Sequence, residues 1–346
     1  MSSNRVDYLI VGLGIAGVWI SHQLKKRNKS FVVFDSEVEN TSSKKAAGLY
    51  NPITGRKMVK TWRAEELFKN LEEDYRELEK VTGSKFLHSK TIYRPFLTVG
   101  DLNDWQGRQA DEEYSPFIAD VHVASLGIPG VMDRWGGIEI KKSGYVDIPS
   151  LITGYRKVLI AQGSYQAQEV SLEELSLENE IRYRGYEAGK IIFCQGAVIP
   201  KLWSQLRFRP VRGDLIDIAC ELPKDRIVNQ GVFIIPKENF FTVGATYDHN
   251  ILSYEPQKEG IENIISRLGR IFDADYRILA ERAGVRPATH DRKPYIGFHP
   301  LNRNVGIFNG LGAKGVTLAP YFAKHFVDVL ENKNELEKEI NVERVY

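Results

Sequence analysis

Three glycines and an aspartate near the start of the chain have the types and spacing for nucleotide chemistry. Gly12, Gly14 and Gly17 fall in G-x-G-x-x-G register, and Asp35 stands 18 residues after Gly17. In such a unit Gly12 permits a tight turn, Gly14 lets the backbone approach a pyrophosphate, and Gly17 lets a helix pack close to a strand. Ile15 and Ala16 open that helix, whose free N–H groups and positive dipole end suit phosphates. The Asp35 carboxylate, with Ser36 beside it, suits the hydroxyls of a ribose. The elements needed to hold these residues are legible too. Tyr8–Val11 is an apolar run fit for a buried strand, an amphipathic stretch reaches about Lys26, and Phe31–Phe34 is a second apolar strand. Three glycines alone also fit an ordinary strand–helix turn. Strand, glycines, helix, strand and acid together point to an adenine dinucleotide.

Composition narrows the setting. With 346 residues, 42% hydrophobic and 27% charged, the chain is long enough for a large core and suggests two domains. These proportions exclude a disordered chain. A net charge of +2 leaves no basic footprint that argues for nucleic acid. The two cysteines, Cys194 and Cys220, sit in apolar stretches and read as buried reduced thiols. MSSNR has no apolar core of a signal peptide, and no run approaches a membrane span, so a soluble cytoplasmic protein is expected. Two cysteines and seven histidines form no ligand cluster, and no metal is expected.

The rest of the chain reads as interleaved strands and helices. Leu67, Leu71, Tyr75 and Leu78 recur at helical spacing and predict one helix from Ala64 to Val81. Strands are expected in Lys85–Leu97, followed by a polar helical or loop stretch to about Ser115. Gly136–Ile140 and Gly144–Ile148 read as a hairpin around KKSG. A helix over Ile148–Gln162 leads to a strand at Tyr165–Val170. Glu180–Tyr186 and Lys190–Cys194 read as a strand pair, and Arg209–Thr246 is mostly β. Gln257–Phe272 and Gly315–Leu330 read as helices, with a short strand at Gly306–Asn309. The Lys/Glu-rich tail Glu331–Tyr346 reads as a solvated segment.

Several further segments carry a family resemblance. They are SSKKAAGLYNP after the second strand, CQGA at residues 194–197, RPVRGDLIDI at 209–218, GVFIIPKENFFTVGATYD at 231–248, GVRPATHDRKPYIG at 284–297 and VGIFNGLGAKGVTLAP at 305–320. Together with the N-terminal fingerprint they resemble the D-amino-acid-oxidase/glycine-oxidase superfamily of FAD-dependent amine oxidases over nearly the whole chain. VRPATHDRKPYIG, GLGAKG and GATYD look most like the FAD oxidase domain of the bifunctional enzyme that finishes 5-methylaminomethyl-2-thiouridine in tRNA. The methyltransferase domain fused ahead of that domain has no counterpart in this sequence.

The resemblance implies an α/β fold, α+β overall, with a Rossmann-like FAD-binding domain and a β-rich substrate domain. The FAD domain would be discontinuous, 1–82, 146–208 and 284–346, and the substrate domain 83–145 and 209–283. It implies that Ala46, Ala47, Gly48 and Leu49 run beside the flavin ring, and that Ser42 and Ser43 offer hydroxyls to the phosphates, although a Ser-rich surface turn fits as well. Val170 would end a strand at the adenine, and Gly196 would give close approach. Gly310, Leu311, Gly312, Ala313, Lys314, Gly315 and Val316 would open the last helix toward the flavin carbonyls. There Lys314 adds a charge to the positive helix end, or else is a solvated loop lysine. Arg286 matches the arginine that grips substrate carboxylates, and its planar fork suits that role; the plainer reading is an ion pair with Asp291 or another acid. Phe233 stands where glycine oxidases place a tyrosine hydroxyl, which counts against plain glycine as substrate. Tyr247 would face the pocket, or pack at a strand end. His249 and His290 lack partners for a triad. Implied chemistry is oxidation of an amine or N-substituted glycine to an imine, with hydride transfer to flavin N5 and reoxidation by oxygen. Alternatives are the same oxidation on a tRNA wobble uridine, which the near-neutral charge does not favour, and a flavoprotein passing electrons to a protein or quinone, or a binding module with a vestigial site. No cysteine lies between Gly284 and Gly297, so FAD is expected to be noncovalent.

Overall fold

The computed structural model describes residues 4–55, 57–108, 111–178 and 180–346. Strand Asn4–Val11 is the centre of the first sheet. It runs parallel to Phe31–Asp35 on one side and to Tyr186–Phe193 on the other. Tyr165–Ala167 and Asn302–Asn309 extend the parallel set, and Tyr295–His299 pairs antiparallel with Asn302–Asn309. Both faces of this sheet are covered, which is why its strands read as continuous apolar runs rather than alternating ones. The helices Ile15–Lys26 and Gly315–Leu330 pack together on one face, and Trp203, Leu206 and Leu175 close the other.

A second sheet of eight strands is mostly antiparallel. Its order is Tyr276–Arg286, Val211–Cys220, Phe241–Gly244, Val232–Pro236, Ile227–Gln230, Ile92–Pro95, Gly137–Ile140 and Ile118–His122. Helix Lys258–Leu268 buries Ile261, Ile264 and Leu268 against Ile216, Ile218 and Val243 of this sheet. A small antiparallel sheet of Leu49–Tyr50, Gly144–Val146 and Leu87–Ser89 stands apart from both large sheets.

Several elements differ from the sequence-based expectation. The helix over 64–81 is two helices, Ala64–Leu67 and Leu71–Thr82, with Asn70 at the N-cap position of the second, where its side chain makes no capping hydrogen bond. Gly137–Ile140 and Gly144–Val146 are not a hairpin, since each flank pairs into a different sheet. Ser143 Oγ donates to Lys90 O at 2.9 Å at that crossing. The strand expected to reach Val170 stops at Ala167, so Val170 lies beyond its end. The pair expected at Glu180–Tyr186 and Lys190–Cys194 turns earlier, at Arg184 and Gly185, which both have positive φ as a tight hairpin turn requires. The helix expected over Gln257–Phe272 spans Lys258–Leu268. The strand Tyr276–Arg286 was not expected at all. It is a sheet edge whose residues 277–281 all face solvent, apolar Ile278 and Leu279 as well as charged Arg277 and Glu281, so no apolar–polar alternation marks the strand. The polar stretch to Ser115, expected as helix or loop, does hold a helix, Val99–Arg108; 109 and 110 lie outside the described residues, as do 1–3 of MSSNR. Finally, the tail is no solvated segment. Ile340 and Val342 are fully buried, and Ile296 N donates to Ile340 O at 3.0 Å.

Candidate active site

One cavity of about 1400 Å³ runs between the two large sheets. It exceeds the ~300–1,000 Å³ usual for a drug-sized ligand, and so has room for a dinucleotide and a small substrate. All the residues singled out from the sequence line it except Gly17. Gly17 serves packing instead, because a Cβ there would overlap the Gly12 carbonyl and only glycine lets the helix sit against the strand. Gly12 has φ +98°, and a Cβ on it would lie 2.8 Å from Cys194 O. At the same turn Ile15 N donates to Ser43 Oγ at 3.1 Å, which ties Ser42–Lys45 to the fingerprint helix. Asp35 Oδ1 accepts from Leu13 N at 2.8 Å and Oδ2 from Glu37 N at 3.2 Å. Those bonds fix the carboxylate on the cavity wall with acceptor capacity remaining.

Farther along, the Ala46–Leu49 backbone is held by close contact. A Cβ on Gly48 would overlap Val146 O, and Val146 N donates to Gly48 O at 3.0 Å. Lys237 Nζ reaches Ala47 O at 3.4 Å and lies 3.7 Å from the Tyr145 ring centroid. Burial there pushes its ammonium down to about 8. Opposite, Asn309 joins the two glycine turns: its Nδ2 donates to Gly196 O at 2.9 Å and its Oδ1 accepts from Gly310 N at 2.7 Å. Gly310 and Gly312 both have positive φ. The turn Gly312–Lys314 then feeds helix Gly315–Leu330, whose first residues Gly315, Val316, Thr317 and Leu318 line the cavity. Lys314 is not a solvated lysine. It is largely enclosed, lies 3.4 Å from Thr61 Oγ1, and its ammonium is pushed down by burial.

Arg286 ends the long edge strand and turns its guanidinium into the cavity. Its Nη1 donates to Thr246 O at 3.2 Å and Arg212 O at 3.4 Å. The Tyr247 ring lies 4.6 Å from its central carbon, and Tyr247 is itself 67% exposed rather than packed. The alternative partner, Asp291, is engaged elsewhere, with Arg344 Nε at 3.0 Å. Burial lowers the Arg286 pKa, against the pull of Tyr247 and Asp214. Asp214 is itself occupied: it accepts from Thr246 Oγ1 at 2.8 Å and faces Arg212 Nη1 at 3.2 Å. Space for the guanidinium exists because residue 213 is glycine; a Cβ there would collide with all three terminal atoms of Arg286. Phe233 gives the wall an apolar patch beside Gly244. His290 Nδ1 meets Tyr295 OH at 3.1 Å and His249 Nδ1 meets Pro210 O at 3.3 Å, so neither joins a triad. Among the described residues no group of three or more His, Cys, Asp or Glu is placed to hold a metal.

Sequence reasoning missed Gly213, Asn309, Arg267 and Lys237. The only signal for any of them was a glycine inside a strand, which marks close approach of something unspecified.

Glycines that a Cβ would block, an acid at the second strand end and two helix N-termini facing one elongated cavity define a dinucleotide-binding flavoprotein site. The family model described as FAD dependent oxidoreductase, DAO, matches residues 7–329. The chain belongs to that family: it is an FAD-dependent oxidoreductase. The glycine oxidase of Bacillus licheniformis is 24% identical over 94% of this chain and 93% of its own length. The iminodiacetate oxidase of Chelativorans sp. BNC1 shares the fold at a TM-score of 0.76 and 22% identity, covering 96% of this chain and 97% of that one. A bifunctional protein of tRNA 5-methylaminomethyl-2-thiouridine biosynthesis from Marinobacter nauticus is 30% identical over 42% of this chain and 24% of its own. Among the described residues no helix is long and apolar enough to cross a membrane.

Proposed function

We propose that the chain oxidises the carbon–nitrogen bond of an N-substituted glycine or amino acid, with oxygen as the final acceptor. The observation that carries this reading is Arg286, a buried guanidinium facing the cavity whose acceptors among the described residues are backbone carbonyls. A charge-assisted bidentate pair with a carboxylate gives it the partner it lacks. The bound flavin supplies the chemistry by accepting the electrons lost from the substrate. Arg286 orients the carboxylate, the Tyr247 ring covers the guanidinium, and Phe233 keeps the neighbouring wall dry. Lys314 and the N-terminus of helix Gly315–Leu330 hold positive potential at the opposite wall, where negative charge is stabilised. Gly12, Gly14, Ser43 and Asp35 would hold the dinucleotide, with Gly196 and Val170 on the cavity wall near them. The two large sheets support a division into a cofactor domain, 1–82, 146–208 and 284–346, and a substrate domain, 83–145 and 209–283, although strand Tyr276–Arg286 carries the second sheet past residue 283 and the small sheet joins Leu49–Tyr50 to Leu87–Ser89.

Anaerobic mixing with a panel of amines tests the reading through bleaching of the flavin band. N-substituted glycines should bleach it and carboxylate-free amines should not. Bleaching by carboxylate-free amines alone would sink the proposal. Bulk tRNA belongs in the panel, because the 30% identical stretch favours the same chemistry on a tRNA-borne amine as a second reading.

A further inference from the structure

Arg286 has a neighbour of its own kind at the same end of the cavity. Arg267, in the last turn of helix Lys258–Leu268, lines the same wall. Its Nη1 donates to Ala245 O at 3.2 Å and to Asn263 Oδ1 at 3.3 Å. Arg286 Nη1 donates to the next carbonyl, Thr246 O, at 3.2 Å. The two guanidiniums therefore grip successive peptide groups, whose Cα atoms are ~3.8 Å apart. Tyr247 and Arg270 are the charged or ionisable groups that act on Arg267; no carboxylate among the described residues does so. A cation at a helix C-terminus is favoured by the dipole, but that accounts for a lysine as well as for an arginine aimed into a cavity. Half-burial of a second guanidinium beside Arg286 without an anion is unfavourable.

We infer that Arg267 binds a second carboxylate, so that the preferred substrate is dianionic: an N-substituted glycine whose substituent itself ends in a carboxylate. This rests on Arg286 as the anchor of the first carboxylate. An iminodicarboxylate carries two carboxylates on one short flexible chain, and each can take charge-assisted N–H donors from one of the two guanidiniums that line the cavity.

The test uses holoprotein and two ligands that cannot be oxidised as amines, diglycolate and methoxyacetate, titrated through their perturbation of the flavin spectrum. Wild type should bind the dianion at least tenfold more tightly than the monoanion. Arg267→Gln should bring that ratio close to one, Arg267→Lys should restore part of it, and Arg286→Lys should weaken both ligands. A wild-type ratio near one overturns the inference. So does a ratio unchanged in Arg267→Gln, which is what a purely structural arginine gives, since it lowers both affinities together. If the ratios behave as expected and iminodiacetate still fails to bleach the flavin, amine oxidation is the reading that falls and the second anion site stands.

Discussion

Gly213 shows how a missing side chain places a charged one. The Arg286 head fills the volume that any Cβ at 213 would claim, while the backbone around it has no reason to move. Gly213→Ala should therefore leave folding and FAD content near wild type, because the far end of a flexible side chain gives way first. The displaced guanidinium should raise KM for carboxylate substrates about tenfold, or ~1.4 kcal/mol. Arg286→Lys keeps the charge and loses the fork, and should cost about one to two orders of magnitude in affinity. Steady-state kinetics on both variants check this; a Gly213→Ala enzyme with unchanged KM, beside an impaired Arg286→Lys, would refute the steric argument. At this scale the fingerprint glycines and Asp35 were legible because their spacing along the chain is itself the signal. Gly213, Asn309 and Arg267 were not, because each acts on a residue far away in sequence and none has a local pattern.

At the scale of elements, the sequence showed where helix Ile15–Lys26 lies but not how deeply, since it reads as amphipathic and the structure buries it nearly all round. Helix Ile15–Lys26 has ten buried residues of twelve, held between the first sheet and helix Gly315–Leu330. Edges were harder: Tyr276–Arg286 leaves Ile278 and Leu279 in solvent beside its charges and so shows no alternation, and KKSG looked like a hairpin because local spacing cannot show that two flanks join different sheets. Burial also has an electrostatic consequence in the first helix. His22 is 2% exposed, lies between the edges of Trp19 and Tyr155, and has Glu77 Oε1 3.5 Å from its Nε2. Desolvation lowers its pKa to about 4, more than Glu77 raises it. The folded state thus keeps the ring neutral where the unfolded chain binds a proton, so stability is full above about pH 6.5 and falls as pH drops toward 4. The loss is on the order of 2–3 kcal/mol. Asp74 runs the other way, since burial raises it to about 6 and it takes up a proton more readily when folded. The informative quantity is therefore the difference between wild type and His22→Gln in urea unfolding at pH 7 and pH 4.5. That difference should shift in favour of the variant at the lower pH; a gap independent of pH would show that His22 is not the acid-sensitive group.

Across the whole molecule, the cavity exists only because segments distant in sequence close on it, and the last residues of the chain take part. The Lys/Glu composition of 331–346 concealed two apolar residues, Ile340 and Val342, spaced to enter the core together. Ile340 O accepts from Ile296 N in strand Tyr295–His299, which pairs with Asn302–Asn309, and that strand leads into the glycine turn at Gly310. Ion pairs of Arg344 with Asp291, Arg63 with Glu337 and Lys293 with Glu339 bind the tail to the same region. The charges are thus a coat over an apolar latch. Of these pairs Lys293–Glu339 is exposed, a setting worth ~0–1 kcal/mol, and the other two are partly buried, whereas truncating a buried isoleucine costs ~2–5 kcal/mol. Ile340→Ala should accordingly lower the unfolding free energy of the holoprotein by about 2–5 kcal/mol. Lys338→Ala, at an exposed position two residues away, should change it by less than ~0.5 kcal/mol. Because the latch lies behind the strand that carries the glycine turn, Ile340→Ala should also speed FAD loss on dilution, whereas Lys338→Ala should not. Denaturant melts and flavin-release rates on the two variants measure both effects. Equal behaviour of the two would return the tail to a solvated segment with no part in holding the cofactor site.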